Sequence, residues 1–352
     1  MSLIKTFHKP KIYISYIVMI SLFFVSVILG ISVGSASITI SETISVLLSL
    51  SKWIELDASI NSRVAYIILD IRLPRVLLAS LVGASLAVAG AAFQGLLRNP
   101  LADPYTLGAS SGAAVGAVTV LYFGISIPFI GILTLPVFAI LSGFITLITV
   151  ILFARTVQRS LSVETIILTG IIFSSFLGAI ISLLISLSGD EIRQLVNWLL
   201  GSVGMRGWNY VYLIIPFFFL GFILLLAHWR ELNAFVFGEQ SAHHLGIHVE
   251  RKKFVILFAA SLLTGSAVAV SGTIGFVGLV IPHFVRIIWG ADHKHLIPLS
   301  ALVGGIFLVV ADLIARTIIS PAELPIGVIT ALIGAPVFGL ILISKHRGKI
   351  PK

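Results

Sequence analysis

The interval NAFVFGEQSAHHLGIHVERKK, residues 233–253, gathers His243, His244, His248, Glu239, Glu250 and the basic run Arg251, Lys252 and Lys253 inside a very apolar chain. Imidazoles beside carboxylates can hold a metal ion or exchange protons near neutral pH. The spacing argues against a metal centre. His243 and His244 are adjacent, so on a helix they diverge by about 100°. Only His244 and His248 stand four apart, and Gly246 between them weakens the helix that such a pair needs. No nearby Asp completes a ligand set, and the chain has no cysteine. Thiol catalysis, thiolate ligation and disulfides are therefore excluded, and no metal site is assigned. The sequence also lacks G-x-x-x-x-G-K-[ST] and H-E-x-x-H. It is not expected to bind ATP through a phosphate loop of its own or to carry that hydrolytic zinc site, and no cofactor is assigned to it.

A second set of chemistry-bearing residues lies within apolar runs. "IRLPR" holds Arg72 and Arg75, and "ADLIART" holds Asp312 and Arg316. An arginine in a membrane span is costly and faces protein, water or the interface. Such arginines either snorkel to headgroups or accept acidic groups from outside. Asp312, four residues before Arg316, offers that arginine a local helical ion pair. In "LLRNPLADPYTLG", Asn99-Pro100 and Asp103-Pro104 read as turn initiators, with Asp103 suited to cap the next helix. His283 in "IGFVGLVIPHFVR" reads as a hydrogen-bonded structural residue.

The elements that carry these residues follow from composition. The 352 residues are 58% hydrophobic and only 11% charged, against about a quarter charged in soluble domains. The expected fold is all-α, a polytopic membrane protein. Ten spans are predicted, near 12–34, 66–93, 105–123, 129–153, 163–186, 209–228, 254–272, 275–289, 297–319 and 326–344. The third and eighth are the shortest or richest in Gly and Pro. The first follows Lys5, Lys9 and Lys11, lacks an A-x-A site and is read as retained. With the termini inside, fifteen Lys and Arg fall in inner segments and four in outer ones. That bias places both termini and the 229–253 loop in the cytoplasm. It also accounts for the net charge of +9 without nucleic acid. Outside, residues 35–63 read as a partly helical interfacial loop, and "IRQLVNWLL" as a short surface helix. One transmembrane domain over 1–352 is expected.

Small residues dominate "GASLAVAG", "GASSGAAVGA" and "GSAVAVSG", as in helices whose backbones pack closely in lipid. Residues 83–100 also align with 265–282 at Gly83, Ala87, Val88, Gly90, Leu97 and Pro100. The first copy runs inward and the second outward, the pattern of an inverted internal repeat.

"RLPRVLLASLVGASLAVAGAAFQGLLRNPLADPYTLGASSGAAVGA", "SGTIGFVGLVIPHFVR", "ADLIAR" and "ELPIGVITALIGAPVFGLILI" together resemble the FecCD-type permeases of iron–siderophore, haem and cobalamin ABC importers, the type II importers. The likeness runs from about residue 66 to 344. It implies a homodimer of ten-helix subunits in the cell membrane. Two cytoplasmic ATPase subunits, which carry ATP and Mg, dock on one side. An extracytoplasmic binding protein delivers the substrate on the other. By the same resemblance the 229–253 loop couples to the ATPase through Gly238, Glu239, Gln240, Ala242, Leu245 and Gly246. Ala242 and Leu245 are expected on one side of a short helix as an apolar knob, with Gly246 ending it. Arg72, Arg75 and Arg316 map onto the arginines that meet glutamates of the binding protein. Ser160, Leu161 and Ser162 map onto the cytoplasmic turn that closes the path.

The implied function is import of a metal chelate, ferric siderophore first, with cobalamin or another corrinoid and then haem as alternatives. The chain itself is read as a transporter and not an enzyme. An ion-coupled secondary transporter is the rival of a different class. The scarcity of acidic residues at mid-membrane argues against it.

Overall fold

The structure is a computed structural model that describes residues 12–34, 36–50, 61–158 and 162–347. Its helices are α1 (Ile12–Ser32), α2 (Ile40–Ser49), α3 (Ser62–Tyr66), α4 (Leu73–Leu96), α5 (Ala109–Phe123), α6 (Thr134–Val157), α7 (Val163–Leu187) and α8 (Ile192–Leu199). The second half holds α9 (Gly207–Ala227), α10 (Trp229–Val236), α11 (Glu239–His244), α12 (Val249–Ser271), α13 (Val277–Trp289), α14 (His293–Thr317) and α15 (Ile326–Arg347). No strand occurs among the described residues.

Among the described residues seven helical segments are long and apolar enough to cross a membrane. They are α1, the continuous run Ser62–Leu96, Gly131–Val157, α7, α9, α12 and α14. Three shorter apolar helices, α5, α13 and Ile326–Leu340, occupy the remaining expected spans. α5 and α13 are the third and eighth expected spans, those marked by shortness or by Gly and Pro. Thirteen residues of α13 reach only about 20 Å, less than the hydrocarbon thickness.

The core is built around α4 and α12. Buried residues make up 89% of the apolar window of Ser62–Leu96 and 83% of that of α12, but only 17% of α7. Small side chains allow this. A methyl on Gly83 would overlap the Gly304 carbonyl of α14, and one on Gly90 the Gly278 carbonyl of α13. Close backbone approach of this kind stands in for the hydrophobic effect inside lipid.

α4 and α12 are antiparallel. Arg75, in the first turn of α4, lies beside Asp312 near the end of α14, whereas α12 ends just before Gly272, which packs on Gly201. Gly201 in turn accepts from the Ile326 N–H and leads to Gly204, which lies near Arg75 and Glu323. The two repeat copies therefore run in opposite directions, and their local structure diverges. α4 is helical through Gly90, whereas its counterpart Gly272 has φ 74° and opens a non-helical segment to Phe276, φ 68°. Side chains satisfy the freed backbone groups. The Tyr105 hydroxyl donates to the Ile274 carbonyl at 2.9 Å and accepts from its N–H at 2.7 Å, and the Thr273 hydroxyl reaches the Leu199 carbonyl. Irregular backbone at membrane depth persists where protein pairs it in this way.

Two local features set the arginine end. Pro74 lies inside the continuous helix 62–96 and lacks the N–H that would bond Asp70. The ladder widens just before it into a π stretch, Ile67–Arg72, closed by Leu73 N–H to the Ile68 carbonyl. In the preceding loop Thr39 and Glu42 form a reciprocal capping box that starts α2. The short surface helix expected through "IRQLVNWLL" is α8, with Leu195 and Trp198 buried.

Candidate functional site

Polar residues collect at the two ends of the bundle. At one end α10 and α11 fold back on the first turn of α12. α10 buries Leu232, Ala234 and Phe235 in a cluster that includes Ile256 and Leu257 of α12. Gly238, at φ 104°, turns the chain into α11, and Gly246, at φ 78°, turns it out. Both angles favour glycine. Two ion pairs fasten the segment: Lys252 to Glu231 at 2.7 Å, and the buried Lys253 to Glu239. Burial alone would raise the Glu231 carboxyl, but the Lys252 ammonium holds it below its ordinary value.

Ala242 and Leu245 do not form one apolar knob. Ala242 is fully buried beneath α11, whereas Leu245 is 70% exposed. Three residues along a short helix place a side chain on the neighbouring flank, and α11 ends at His244, so Leu245 turns outward. Phe237, 77% exposed, is another large apolar side chain here. Sequence reading missed it. The available signal was that Phe237 follows the buried pair Ala234 and Phe235, just before the glycine turn. Glu239 and Gln240 line grooves on both flanks of α11. One groove, of about 370 Å3, brings Ser162 together with Gly238, Glu239, Gln240 and Arg98. Ser162 caps α7, accepting from the Thr165 N–H at 3.3 Å and donating to Gln158 at 2.8 Å. Ser160 and Leu161 lie outside the described residues. The His243 and His244 rings stand edge to face, with centroids 6.4 Å apart. Among the described residues no group of three or more His, Asp and Glu is placed to hold a metal ion.

At the opposite end Arg72, Arg75 and Arg316 come together. Arg75 lies between two carboxylates. Its Nε and Nη2 donate to Asp312 at 3.0 and 2.9 Å, and Nη1 and Nη2 donate to Glu323 at 2.9 and 3.0 Å. Asp312 also faces Arg316 at 3.4 Å, so the expected local pair exists but is the looser of the two. Arg316 donates to the Gly30 carbonyl. Arg72 donates to the carbonyls of Ile31 at 2.9 Å, Ser32 at 2.7 Å and Ala36 at 2.6 Å, closing the end of α1. The three arginines and Glu323 line a hollow of about 310 Å3. Glu323, outside the spans, is held below the ordinary carboxylate range by its bonds to Arg75. Sequence reading did not single it out.

Residues 22–344 match the profile of the FecCD transport family. The chain belongs to that family. It is 58% identical over 340 residues to the ABC transporter permease protein YvrB of Bacillus subtilis (strain 168), covering 96% of this chain and 95% of that one. It is 45% identical over 272 residues to the cobalamin import system permease protein BtuC of Halobacterium salinarum, covering 77% and 72%. Among solved structures, a metal-chelate type ABC transporter in an inward-facing conformation superposes with a TM-score of 0.83 at 33% identity, covering 94% of this chain and 99% of that one. FecCD members are the membrane permeases of ABC importers and work with an ATPase and a binding protein, so this multi-span chain is an importer permease of a cell membrane.

Proposed function

We propose that this FecCD permease carries a metal chelate, ferric siderophore before others, as a homodimer. The observation that carries the substrate class is the likeness along almost the whole chain to a metal-chelate type transporter. The cobalamin permease of Halobacterium salinarum supports a corrinoid as the second reading. Other relatives are named for haemin, ferric dicitrate and molybdate, which keeps the cargo within metal-bearing anions and chelates.

In this reading the whole chain is one permease domain, and its α10–α11 end is cytoplasmic with both termini. The excess of Lys and Arg on that side supports the orientation. The loop 229–253 seats in the ATPase through Leu245, with Phe237 beside it. Gly238 and Gly246 set its turns, Glu239 and Gln240 form its polar rim, and Ala242 anchors it from beneath. The turn of Ser160, Leu161 and Ser162 closes the path, and the groove that Ser162 shares with Gly238–Ser241 links closure to coupling. The Arg72, Arg75 and Arg316 cluster faces outward and receives carboxylates of the binding protein.

Reconstituted uptake tests the reading. ATP-dependent accumulation of a ferric siderophore, with no response to an ion gradient, is the expected result. Accumulation of cyanocobalamin instead would favour the second reading. Gradient-driven uptake without an ATPase would overturn both.

A further inference from the structure

The three outer arginines are not equally available to a docking partner. Arg72 is buried, and its guanidinium is occupied by three main-chain carbonyls. Arg316 is buried between Asp312 and the Gly30 carbonyl. Arg75 differs, because its two carboxylates sit in opposite environments. Asp312 is 1% exposed and has a second cation beside it, whereas Glu323 is 48% exposed, on the loop between α14 and α15. A buried, doubly paired carboxylate is costly to strip of its partner. A half-exposed one rehydrates cheaply when it leaves, because exposed ion pairs contribute little.

We propose that Glu323 is a resident stand-in for the docking carboxylate, and that binding-protein capture exchanges Glu323 on Arg75 for an acidic side chain of the partner. This rests on the docking reading given above. The hollow beside the pair fits such an exchange: its charged lining is Arg72, Arg75, Arg316 and Glu323, so an incoming carboxylate meets three cations and one anion. Arg75 already presents Glu323 with two parallel bonds, the geometry in which a second carboxylate can replace the first. In the free permease Glu323 lowers the field of the hollow and disfavours non-specific anions. On exchange its loop loses a tether. That loop is bonded through Leu324 N–H to Ala315 and runs into α15, whose Ile326 N–H bonds Gly201. Docking is thereby felt at the start of α15.

The test is capture of the importer's own binding protein by detergent-purified permease dimers, across a salt series. Glu323→Gln is nearly isosteric and half-exposed, so it keeps the fold; its melting curve checks this. Removing the competitor is expected to tighten capture roughly two- to fivefold, the range of a half-exposed ion pair. The same substitution in an Arg75→Lys background is expected to change capture less, because Lys cannot hold the bidentate pair. If Arg75→Lys weakens capture while Glu323→Gln leaves it unchanged or weaker, docking stands and the exchange is wrong. If neither substitution moves affinity or salt dependence, docking through Arg75 falls, and the exchange with it.

Discussion

Asn233 of α10 ties together Asp292 and His293 at the start of α14. Its Nδ2 donates to the Asp292 carboxylate at 2.7 Å, and its Oδ1 accepts from the His293 backbone N–H at 2.9 Å and the ring Nδ1 at 2.8 Å. The first bond fixes the amide's orientation, so the second requires the ring proton on Nδ1. Asp292 also caps α14 through the Lys294 N–H at 3.0 Å. The helix that leads into the α11 segment is thus fastened to α14, and the far end of α14 carries Asp312 and Arg316. One 25-residue helix touches both candidate docking ends.

Breaking this bridge has a local and a remote readout. Asn233→Leu leaves the buried Nδ1 of His293 and the Asp292 carboxylate without the amide, at about 1–3 kcal/mol for an unsatisfied buried group. A lower Tm and faster hydrogen exchange across α10 are expected. Unchanged exchange there would mean that Leu232 and Phe235 hold α10 unaided.

Leu245 and Ala242 should fail in different ways. Leu245 is 70% exposed, so Leu245→Asp is expected to leave the free permease folded. Seated in an ATPase cleft, the new carboxylate would be buried unpaired, at about 3–5 kcal/mol, and ATPase capture should be lost. Ala242→Leu instead overpacks a fully buried position, at about 1–3 kcal/mol, and should lower Tm before any effect on capture. Normal ATPase capture and uptake by Leu245→Asp would remove α11 from the interface.

Span number, the two short spans, the surface helix α8 and the family were legible in the sequence. Each rests on composition or local spacing, which the chain states directly. Pairings across the bundle were not. Arg75 and Asp312 stand 237 positions apart, and Arg75 and Glu323 stand 248 apart. Spacing exposed the rival Arg316–Asp312 pair because that one is local to a helix turn. The knob of Ala242 and Leu245 was misread because sequence shows two apolar residues but not which side of a six-residue helix lies against α12. The break at 272–276 was hidden for a similar reason. Its repeat partner has the same glycine inside an unbroken helix, and Tyr105, which pairs the Ile274 backbone groups, comes from a distant segment.

The histidines of the α11 segment serve as a control on the metal reading. His243, His244 and His248 lie on or beside a surface groove, and surface substitutions cost little. The triple change to Ala is expected to keep uptake within about threefold. Elemental analysis of the purified permease checks it: a stoichiometric metal that vanishes in the triple variant would restore the metal site.

Arg72 should reveal itself as a structural arginine before a docking one. Its guanidinium closes the carbonyl end of α1 by reaching Ile31, Ser32 and Ala36, and hydrogen bonds from a charged donor contribute about 1.5–3 kcal/mol each in buried settings. Arg72→Ala strips all three carbonyls at once and also removes one cation from the hollow beside Arg75. A fall in Tm is expected, with faster hydrogen exchange confined to the last turn of α1 and the segment leading to α2. Arg72→Lys should recover only part of it, since one ammonium on a flexible stem cannot reproduce the forked donors. The fall should persist at high salt, because screening acts weakly on buried contacts, whereas any loss of binding-protein capture should shrink as salt rises. A variant with full thermal stability and reduced capture would reverse this assignment and make Arg72 a direct contact of the partner.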